Sequence, residues 1–364
     1  MAGLYLHVPF CRRLCPYCHF LKTLPDPERV EVYLESVVRE AEVALSLNLS
    51  FETLYVGGGT PSLLGEGLKR VLKSLLRVYS GSQWREISVE INPEDASEEL
   101  FEDLAEVGVH RVSLGVQAAD PRMLGILGRE HSVEDSLEAA RLARKAGIPR
   151  LNYDFIVGVQ GEDEATGRSL LEFIDRVPPE SLSLYLLEGM EGKGRGPVPL
   201  DGEAQVESFL RIEEELERRS YHRYEISNFA RPGGEGVHNL LYWDYSPFLG
   251  LGPSASSLLP EARGKNHSSL TLWREAVLRG VLPWGERRTL SREERAREAL
   301  MMGLRRVEGI DRVRFAERFG VDPTRLLPRL NGPDGERFFS VTSERLRVRR
   351  ESLFLLDALL EGLF

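Results

Sequence analysis

The sequence lacks several features that would place it in common classes of protein. It has no apolar run long enough to cross a bilayer, and no basic stretch followed by an apolar one at its start. Its 57 acidic residues outnumber its 47 basic ones, giving a net charge of −10, which disfavours general nucleic-acid binding. Cysteine is rare, and the count of three is odd, which excludes a framework of disulfides. We therefore expect a cytoplasmic protein whose thiols stay reduced.

The three cysteines stand close together, as Cys11, Cys15 and Cys18, in the spacing C-x3-C-x2-C. Three such thiolates can bind three corners of a cubane iron–sulfur cluster, whose four irons each need a ligand. No further cysteine exists for the fourth iron, and an iron with an open position can chelate a small molecule. The alternative is a Cys3His zinc site completed by His19 or His7, although zinc ligands more often come as two separated pairs.

Short apolar runs alternate with helical patterns along the first half of the 364 residues. The six predicted strands are residues 4–8, 53–56, 87–91, 111–116, 151–157 and 182–187. Strands that alternate with helices predict a parallel sheet with right-handed crossovers, and eight such units would close a barrel. We predict an α/β fold with a partial (β/α)6 barrel over residues 1–190. Its functional residues should lie at the carboxyl ends of the strands.

The second half of the chain changes character. Residues 191–289 are predicted to extend the barrel, with a helix at 205–220, a strand at 223–229 and the motif HNxxYW at 238–243. Residues 290–364 are predicted to form a smaller helical domain with a hairpin at 338–348, which resembles a winged helix. Basic and acidic residues are near balance there, which favours a packing module over a DNA-binding one.

Glycine and carboxylate residues follow the predicted strands. The run Gly57-Gly58-Gly59 precedes Thr60, and consecutive glycines let a ligand approach the backbone closely. The run is not G-x-G-x-x-G, so a dinucleotide-binding fold is poorly supported. Glu90 lies on an apolar strand, where a carboxylate is costly unless it is paired; the alternative is a solvated strand end.

Asp154 invites the same argument as Glu90, Gln117 ends another strand, and Arg129 follows after a helix. His238 stands between a glycine-rich loop and the aromatic pair Tyr242-Trp243. A lone histidine is usually a surface or capping residue, but one beside aromatics is also a candidate haem-iron ligand. The residues alone leave both interpretations open.

Together these motifs resemble the radical S-adenosylmethionine superfamily, within it the HemN-like branch, and most closely the HemW haem chaperones. The resemblance covers nearly the whole chain, and the opening cysteine motif is its most specific part. It is carried by residues 5–11, 57–61, 89–93, 113–117, 221–229 and 238–243.

The resemblance implies a [4Fe–4S] cluster on Cys11, Cys15 and Cys18, whose unique iron takes the amino and carboxylate groups of S-adenosylmethionine. One-electron reduction would then cleave the sulfonium to methionine and a 5′-deoxyadenosyl radical. The residues that it implies as cofactor contacts are Tyr5, Tyr17, Gly57, Gly58, Thr60, Glu90, Gln117, Arg129 and Asp154.

The resemblance also implies haem as cargo, with His238 as candidate ligand, and a haem-accepting respiratory protein as partner. It implies an electron donor where reductive cleavage occurs, and peripheral contact with the membrane during delivery. The net charge of −10 argues against a nucleic-acid partner. The alternatives are an oxygen-independent coproporphyrinogen III oxidase and a HemN-like radical methyltransferase. That oxidase has a sizeable segment before its cluster motif and an extra cysteine where this chain has Phe20.

Three features depart from the HemW pattern. His19 replaces the usual aspartate after the third cysteine, and the loop at residues 158–161 lacks a proline that is often found there. The stretch at residues 188–200, rich in glycine and basic residues, looks shortened. We expect these changes to affect local loop contacts.

Overall fold

The computed structural model describes residues 2–189, 196–332 and 334–361. In that part the chain forms the strands β1 Ala2–Val8, β2 Phe51–Gly58, β3 Glu86–Ile91, β4 Arg111–Gln117, β5 Arg150–Val157, β6 Ser181–Leu186, β7 His222–Arg223, β8 Asn228–Ala230, β9 Phe248–Leu251, β10 Ser256–Leu259, β11 Ala262–Asn266, β12 Trp284–Thr289, β13 Ile310–Asp311, β14 Phe339–Val341 and β15 Arg345–Val348. The helices are α1 Pro27–Ala44, α2 Glu66–Val78, α3 Glu98–Val107, α4 Pro121–Ile126, α5 Val133–Lys145, α6 Glu164–Arg176, α7 Gly202–Arg218, α8 Val237–Trp243, α9 Leu270–Leu278, α10 Arg292–Gly303, α11 Arg312–Phe319, α12 Asp334–Phe338 and α13 Leu356–Leu360.

The six predicted strands form a parallel run from β1 to β6 inside a larger sheet. That sheet has the order β12-β11-β10-β9-β1-β2-β3-β4-β5-β6-β8-β7. The α/β prediction is confirmed, and both edges of the run carry additional strands. On one side β9 pairs in parallel with β1, and on the other β8 pairs antiparallel with β6. The carboxyl ends of the six strands therefore meet at one edge of the sheet.

The helices follow the apolar spacing of the sequence, as α1 illustrates. Asp26 caps its first turn by accepting a hydrogen bond from the Arg29 N–H, and Pro27 supplies the fixed φ that suits the first helical position. Its buried side chains include Tyr33, Val37 and Ala41, spaced four residues apart, so one stripe of the helix faces the sheet.

The predicted strand at 223–229 is wrong in its continuity. The chain makes β7 and β8 with a turn between them, because the Arg223 guanidinium bonds to the Glu225 and Ile226 carbonyl oxygens and holds the backbone bent. The strands β9 to β12 and the helix α4 were not predicted. Residues 190–195, part of the stretch at 188–200, lie outside the described residues.

The C-terminal residues build a second, smaller core. The strands β13, β15 and β14 form a three-stranded antiparallel sheet, which includes the predicted hairpin, and α10 and α11 pack beside it. The final helix begins as a 3-10 helix at Arg350–Leu355 and continues as α13, and residues 362–364 lie outside the described part. Tyr245 and Leu258 join this core from the middle of the chain. The domain boundaries after residues 190 and 289 stay predictions.

Among the helices of the described residues, none combines the length and the apolar character that a membrane span requires.

Candidate functional site

A cavity of about 460 Å³ opens at the carboxyl ends of the parallel strands, and we call it the cysteine cavity. It brings together ten of the residues predicted to bind the cluster or the cofactor. They are Cys11, Cys15, Cys18, Tyr17, Gly58, Thr60, Glu90, Gln117, Arg129 and Asp154. Tyr5, Gly57 and His238 are not among its lining residues.

The cysteine loop follows β1 and is closed at its base. Phe10 bridges Thr23, and the Cys11 N–H donates to the Thr23 carbonyl at 3.0 Å. Inside the loop the Lys22 ammonium donates to the carbonyl oxygens of Cys15 at 2.9 Å and Cys18 at 2.8 Å. The lysine therefore organises the backbone between the second and third cysteines and places a positive charge beside them.

Two polar groups point at cysteine sulfurs. The Thr60 hydroxyl lies 3.6 Å from the Cys11 Sγ, and the Arg129 Nη1 lies 3.7 Å from the Cys15 Sγ. Burial raises the pKa of the Cys11 thiol, and the Thr60 hydrogen bond acts in the opposite direction. A guanidinium and a hydroxyl at these sulfurs would stabilise thiolates bound to iron.

Among the described residues, no three His, Cys, Asp or Glu side chains converge on a point that would hold a single metal ion. A cubane cluster makes a different demand, because each of its thiolates binds a different iron. The cysteines need only surround a shared space, and the cysteine cavity provides that space.

The glycine run passes directly beneath the cysteine loop. The Gly59 N–H donates to the Val8 carbonyl at 2.6 Å, and a Cβ atom at Gly59 would lie 2.5 Å from the Phe10 carbonyl and 3.0 Å from the Cys11 Sγ. A Cβ atom at Gly57 would lie 2.6 Å from the Glu90 Oε1. Any larger residue would therefore push the loop or the carboxylate away, which explains why the sequence has glycine here.

Glu90 holds its carboxylate in the cavity with two donors. The Tyr55 hydroxyl donates to Oε1 at 2.8 Å, and the Gly58 N–H donates to Oε2 at 3.1 Å. Burial and then the nearby charge of Asp154 raise the pKa of Glu90 to about 7, against the effect of these two bonds. Such a carboxyl group is well placed to accept hydrogen bonds from a cationic amine or from hydroxyl groups.

Asp154 is the second carboxylate of the cavity. It accepts hydrogen bonds from the Ser113 hydroxyl at 2.7 Å and from the Asn152 amide at 2.8 Å. Burial raises its pKa as well. Two carboxyl groups, on β3 and on β5 with β4 between them, thus face one space, which suits a ligand with several N–H and O–H groups.

Gln117 precedes α4 in the sequence, and Arg129 follows it. Gln117 ends β4 with a φ of 64°, a left-handed conformation that is uncommon outside glycine. Arg129 has only 8% of its side chain exposed and lies 3.4 Å from the Glu94 carboxylate. Partial burial acts to raise the pKa of Glu94, but the His131 hydrogen bond and the Arg129 charge lower it to about 2. Glu94 therefore stays ionised and orients the guanidinium.

Tyr5 and Tyr17 occupy different places. The Tyr5 hydroxyl bonds to the His7 Nδ1 at 3.1 Å, and its ring lies 6.3 Å from that of Tyr55, so it supports the cavity lining from behind. Tyr17 lies in the cysteine loop on the cavity, against an apolar cluster that includes Met123. Burial raises the pKa of the Tyr17 hydroxyl, which keeps this side chain neutral.

His238 is fully buried in α8, away from the cavity. Its Nδ1 bonds to the Thr53 hydroxyl at 2.7 Å and its Nε2 to the Tyr242 hydroxyl at 2.7 Å. Ligation of haem by His238 stays a prediction. It requires the imidazole to give up one of these two hydrogen bonds and the haem iron to reach the ring in its buried position.

Several lining residues were not predicted, among them Tyr55, Asn92, Ser113 and Tyr185. Alternation along β2 carried a signal for the first of them. Because side chains alternate between the two faces of a strand, Tyr55 must share the inward face with Gly57. The position of Tyr55, two residues before the glycine run, therefore already indicated in the sequence that it lines the cavity.

Comparisons with known proteins agree with this geometry. A profile of the Radical SAM superfamily matches residues 5–174, and one of the HemN C-terminal domain matches residues 290–355. The protein "Heme chaperone HemW" of Bacillus subtilis (strain 168) is 31% identical over 340 residues, which cover 90% of this chain and 89% of that protein. This chain belongs to the HemW family.

Two further relatives set this HemW-family chain in context. The Danio rerio protein "Radical S-adenosyl methionine domain-containing protein 1, mitochondrial" is 31% identical over 99% of this chain and 86% of its own length. The solved structure of coproporphyrinogen III oxidase (HemN) from Escherichia coli, described as a radical SAM enzyme, superposes with a TM-score of 0.84. The superposition covers 100% of this chain and 89% of the HemN chain. Because the two sequences are only 20% identical, it shows the shared fold alone.

Membership in the radical SAM superfamily implies a [4Fe–4S] cluster and S-adenosylmethionine as cofactors of this HemW-family chain. The residues present fit both groups. Three cysteines border one cavity, a cation and a hydroxyl face their sulfurs, and the missing Cβ atom of Gly59 leaves room at Cys11.

Proposed function

We propose that this chain is a HemW-type haem chaperone, which binds haem and delivers it to a haem-accepting respiratory protein. One observation carries the proposal. The three cysteines and the carboxylates of Glu90 and Asp154 line a single cavity, in a chain that matches a protein named haem chaperone over 90% of its length.

In this proposal Cys11, Cys15 and Cys18 hold the [4Fe–4S] cluster, and S-adenosylmethionine lies beside it. Together these bound groups supply the capacity for one-electron reductive cleavage of the sulfonium. The residues of the chain itself bind and orient the S-adenosylmethionine. Glu90 accepts hydrogen bonds from the amine end of the ligand, and Asp154 accepts them from hydroxyl groups.

The remaining predicted contacts have supporting roles. Arg129 places a positive charge at the Cys15 sulfur, while Thr60 donates towards Cys11. Tyr17 and Gln117 supply a flat apolar ring and an amide on the same cavity. The backbone of Gly58 fixes Glu90, with Tyr5 and Gly57 packed behind the lining.

An electron donor, where reductive cleavage occurs, would meet the protein at the cysteine loop. Leu14 is 50% exposed and Phe20 is 60% exposed, although both are large apolar side chains. Leu14 directly precedes Cys15, and Phe20 lies two residues after Cys18. Apolar residues exposed at a redox centre favour a transient protein contact there.

The test is an anaerobic haem titration of cluster-reconstituted protein, followed by absorbance. We expect saturable binding near one haem per chain. His238→Ala tests the predicted ligand, and His222→Ala is a matched control, because His222 is an exposed histidine on β7. Transfer of bound haem to an apo-haemoprotein, measured from the change in the haem spectrum, tests delivery.

The same preparation should be assayed for decarboxylation of coproporphyrinogen III with S-adenosylmethionine and a reductant. Turnover of that substrate, without saturable haem binding by the wild type, would overturn the chaperone proposal in favour of the oxidase. Saturable binding and transfer without turnover would support it.

A further inference from the structure

The HNxxYW motif forms α8, which closes the amino-terminal end of the parallel strands below the cysteine cavity. Its first turn is fixed to β3, since the two oxygens of the Glu86 carboxylate accept hydrogen bonds from the N–H groups of Val237 and His238, each at 3.1 Å. Glu86 is fully buried, and Arg150 lies 3.4 Å from it. The start of α8 is therefore held rigidly against the strands.

The His238 ring fills a place that the sheet leaves for it. A Cβ atom at Gly3 on β1 would lie 3.1 Å from the His238 Cε1, so the glycine makes room for the ring. The hydroxyls of Thr53 and Tyr242 hold its two nitrogens, each at 2.7 Å. Burial, followed by the charge of Arg111, lowers the pKa of His238 to about 3, so the ring is neutral.

Above this ring lies Tyr55. The two rings stack with centroids 5.3 Å apart and an angle of 29° between their planes. Thr53 and Tyr55 are two residues apart on β2, so their side chains share the inward face. One strand therefore presents both the partner of the His238 nitrogen and the ring that His238 supports.

The Tyr55 hydroxyl continues the chain of contacts upward, because it donates to the Glu90 Oε1 at 2.8 Å. Glu90 in turn lines the cysteine cavity. An unbroken series of contacts thus runs from α8 through His238 and Tyr55 to the carboxylate proposed to hold the ligand amine.

We propose that His238 is a positioning residue of the S-adenosylmethionine site, which fixes the Tyr55 ring so that its hydroxyl stays directed at Glu90. This inference rests on the proposed cofactor site, and it gives the HNxxYW motif a role in binding S-adenosylmethionine. Loss of the supporting ring frees the Tyr55 side chain to rotate, and the Glu90 carboxylate then loses one of its two donors.

The decisive measurement is the affinity of cluster-reconstituted protein for S-adenosylmethionine, by equilibrium dialysis. An aromatic stack is worth roughly 0.5–1.5 kcal/mol, so His238→Ala is expected to weaken binding about two- to twelvefold. Tyr55→Phe removes the hydroxyl from Glu90. If His238 acts through that hydroxyl, His238→Ala should weaken binding less than about twofold in the Tyr55→Phe background.

A spectroscopic readout separates positioning from general damage. Binding of S-adenosylmethionine to the reduced cluster should change its EPR signal, and His238→Ala should need more ligand to reach the same change. The cluster content and the EPR signal without ligand should stay as in the wild type. His222→Ala serves as the control for loss of a histidine away from the site.

Should His238→Ala fail to fold, Thr53→Val and Tyr242→Phe keep the side-chain volumes and each release one ring nitrogen. Each is expected to weaken binding about two- to fivefold. Unchanged affinity in both would overturn the proposal, and so would equal effects of His238→Ala with and without the Tyr55 hydroxyl. Loss of haem binding by His238→Ala with normal affinity for S-adenosylmethionine would also overturn it. If the wild type itself does not bind S-adenosylmethionine, the proposed function fails instead.

Discussion

Replacing Glu40 by glutamine is expected to change how the free energy of unfolding depends on pH. Glu40 lies on α1 with 1% of its surface exposed. Its carboxylate accepts hydrogen bonds from the Gly252 N–H at 2.7 Å, the Trp273 Nε1 at 2.9 Å and the Asn266 amide at 2.6 Å. Burial raises its pKa from 4.5 to about 7, although these three donors act to lower it.

The direction of the pH dependence follows from the different pKa values of Glu40 in the folded and the unfolded protein. The unfolded carboxyl group ionises from about its ordinary pKa, whereas the folded one keeps its proton up to about pH 7. Rising pH therefore favours unfolding through this group, and the destabilisation is complete above pH 7. Each pKa unit corresponds to about 1.36 kcal/mol, so the full effect is roughly 3 kcal/mol, most of which develops between about pH 5 and pH 8.

The assay is urea unfolding of the wild type and Glu40→Gln at about pH 5 and pH 8, followed by tryptophan fluorescence. Glutamine has no proton to lose, so the stability of the variant relative to the wild type should improve by about 2 to 3 kcal/mol from about pH 5 to pH 8. Glu35→Gln, at an exposed position of the same helix, is the control and should show no such shift. An equal difference between wild type and Glu40→Gln at both pH values would refute the reasoning.

Three further predictions concern the cysteine cavity. Cys15→Ala should abolish the cluster, so reconstituted protein should lack its brown absorbance; near-normal iron content would remove Cys15 from the ligands. Glu90→Gln should weaken S-adenosylmethionine binding about ten- to hundredfold, because a charge-assisted hydrogen bond is worth roughly 1.5–3 kcal/mol, while the cluster content stays normal. Arg129→Met should lower the reduction potential of the cluster in an EPR redox titration, since it removes a positive charge beside the Cys15 sulfur; an unchanged or higher potential would contradict that electrostatic role.

Much of the barrel and of its cavity was predictable from the sequence. Each of the six strands is a short, mostly apolar run, which is the pattern of a sheet covered on both faces, and all but the first are followed by glycine or a polar residue. Glu90 and Asp154 stood out because carboxylates are costly within such runs. Once the strands were placed, the common edge of a parallel sheet brought these residues together with the cysteine loop.

The extension of the sheet was not predictable in the same way. The buried residues of β11 are Ala262, Gly264 and Asn266, which are small or polar, and β12 is mostly exposed. Neither strand therefore shows apolar alternation. Both strands owe their extended conformation to pairing with their neighbours in the sheet, and hydropathy alone does not reveal that pairing.

The surroundings of His238 depended on contacts between distant parts of the chain. Thr53, which holds its Nδ1, is 185 residues away in sequence. A histidine in an aromatic motif is compatible with a ligand and with a buried packing residue, and only the position of α8 against β2 distinguishes the two surroundings. The local sequence contains no information about that position.

Among the described strands β1 is synthesised first, yet it lies in the interior of the sheet, between β2 and β9. Its β9 side cannot be paired until residue 251 has been synthesised. At roughly 5–20 residues per second, the nascent chain carries that unpaired edge for about 10–40 s after β2 is complete. An open edge is a template for pairing with other chains, and here it leads directly into the cysteine loop. A chain that stops before β9 keeps this edge exposed permanently, so truncated products should aggregate rather than accumulate as half-barrels.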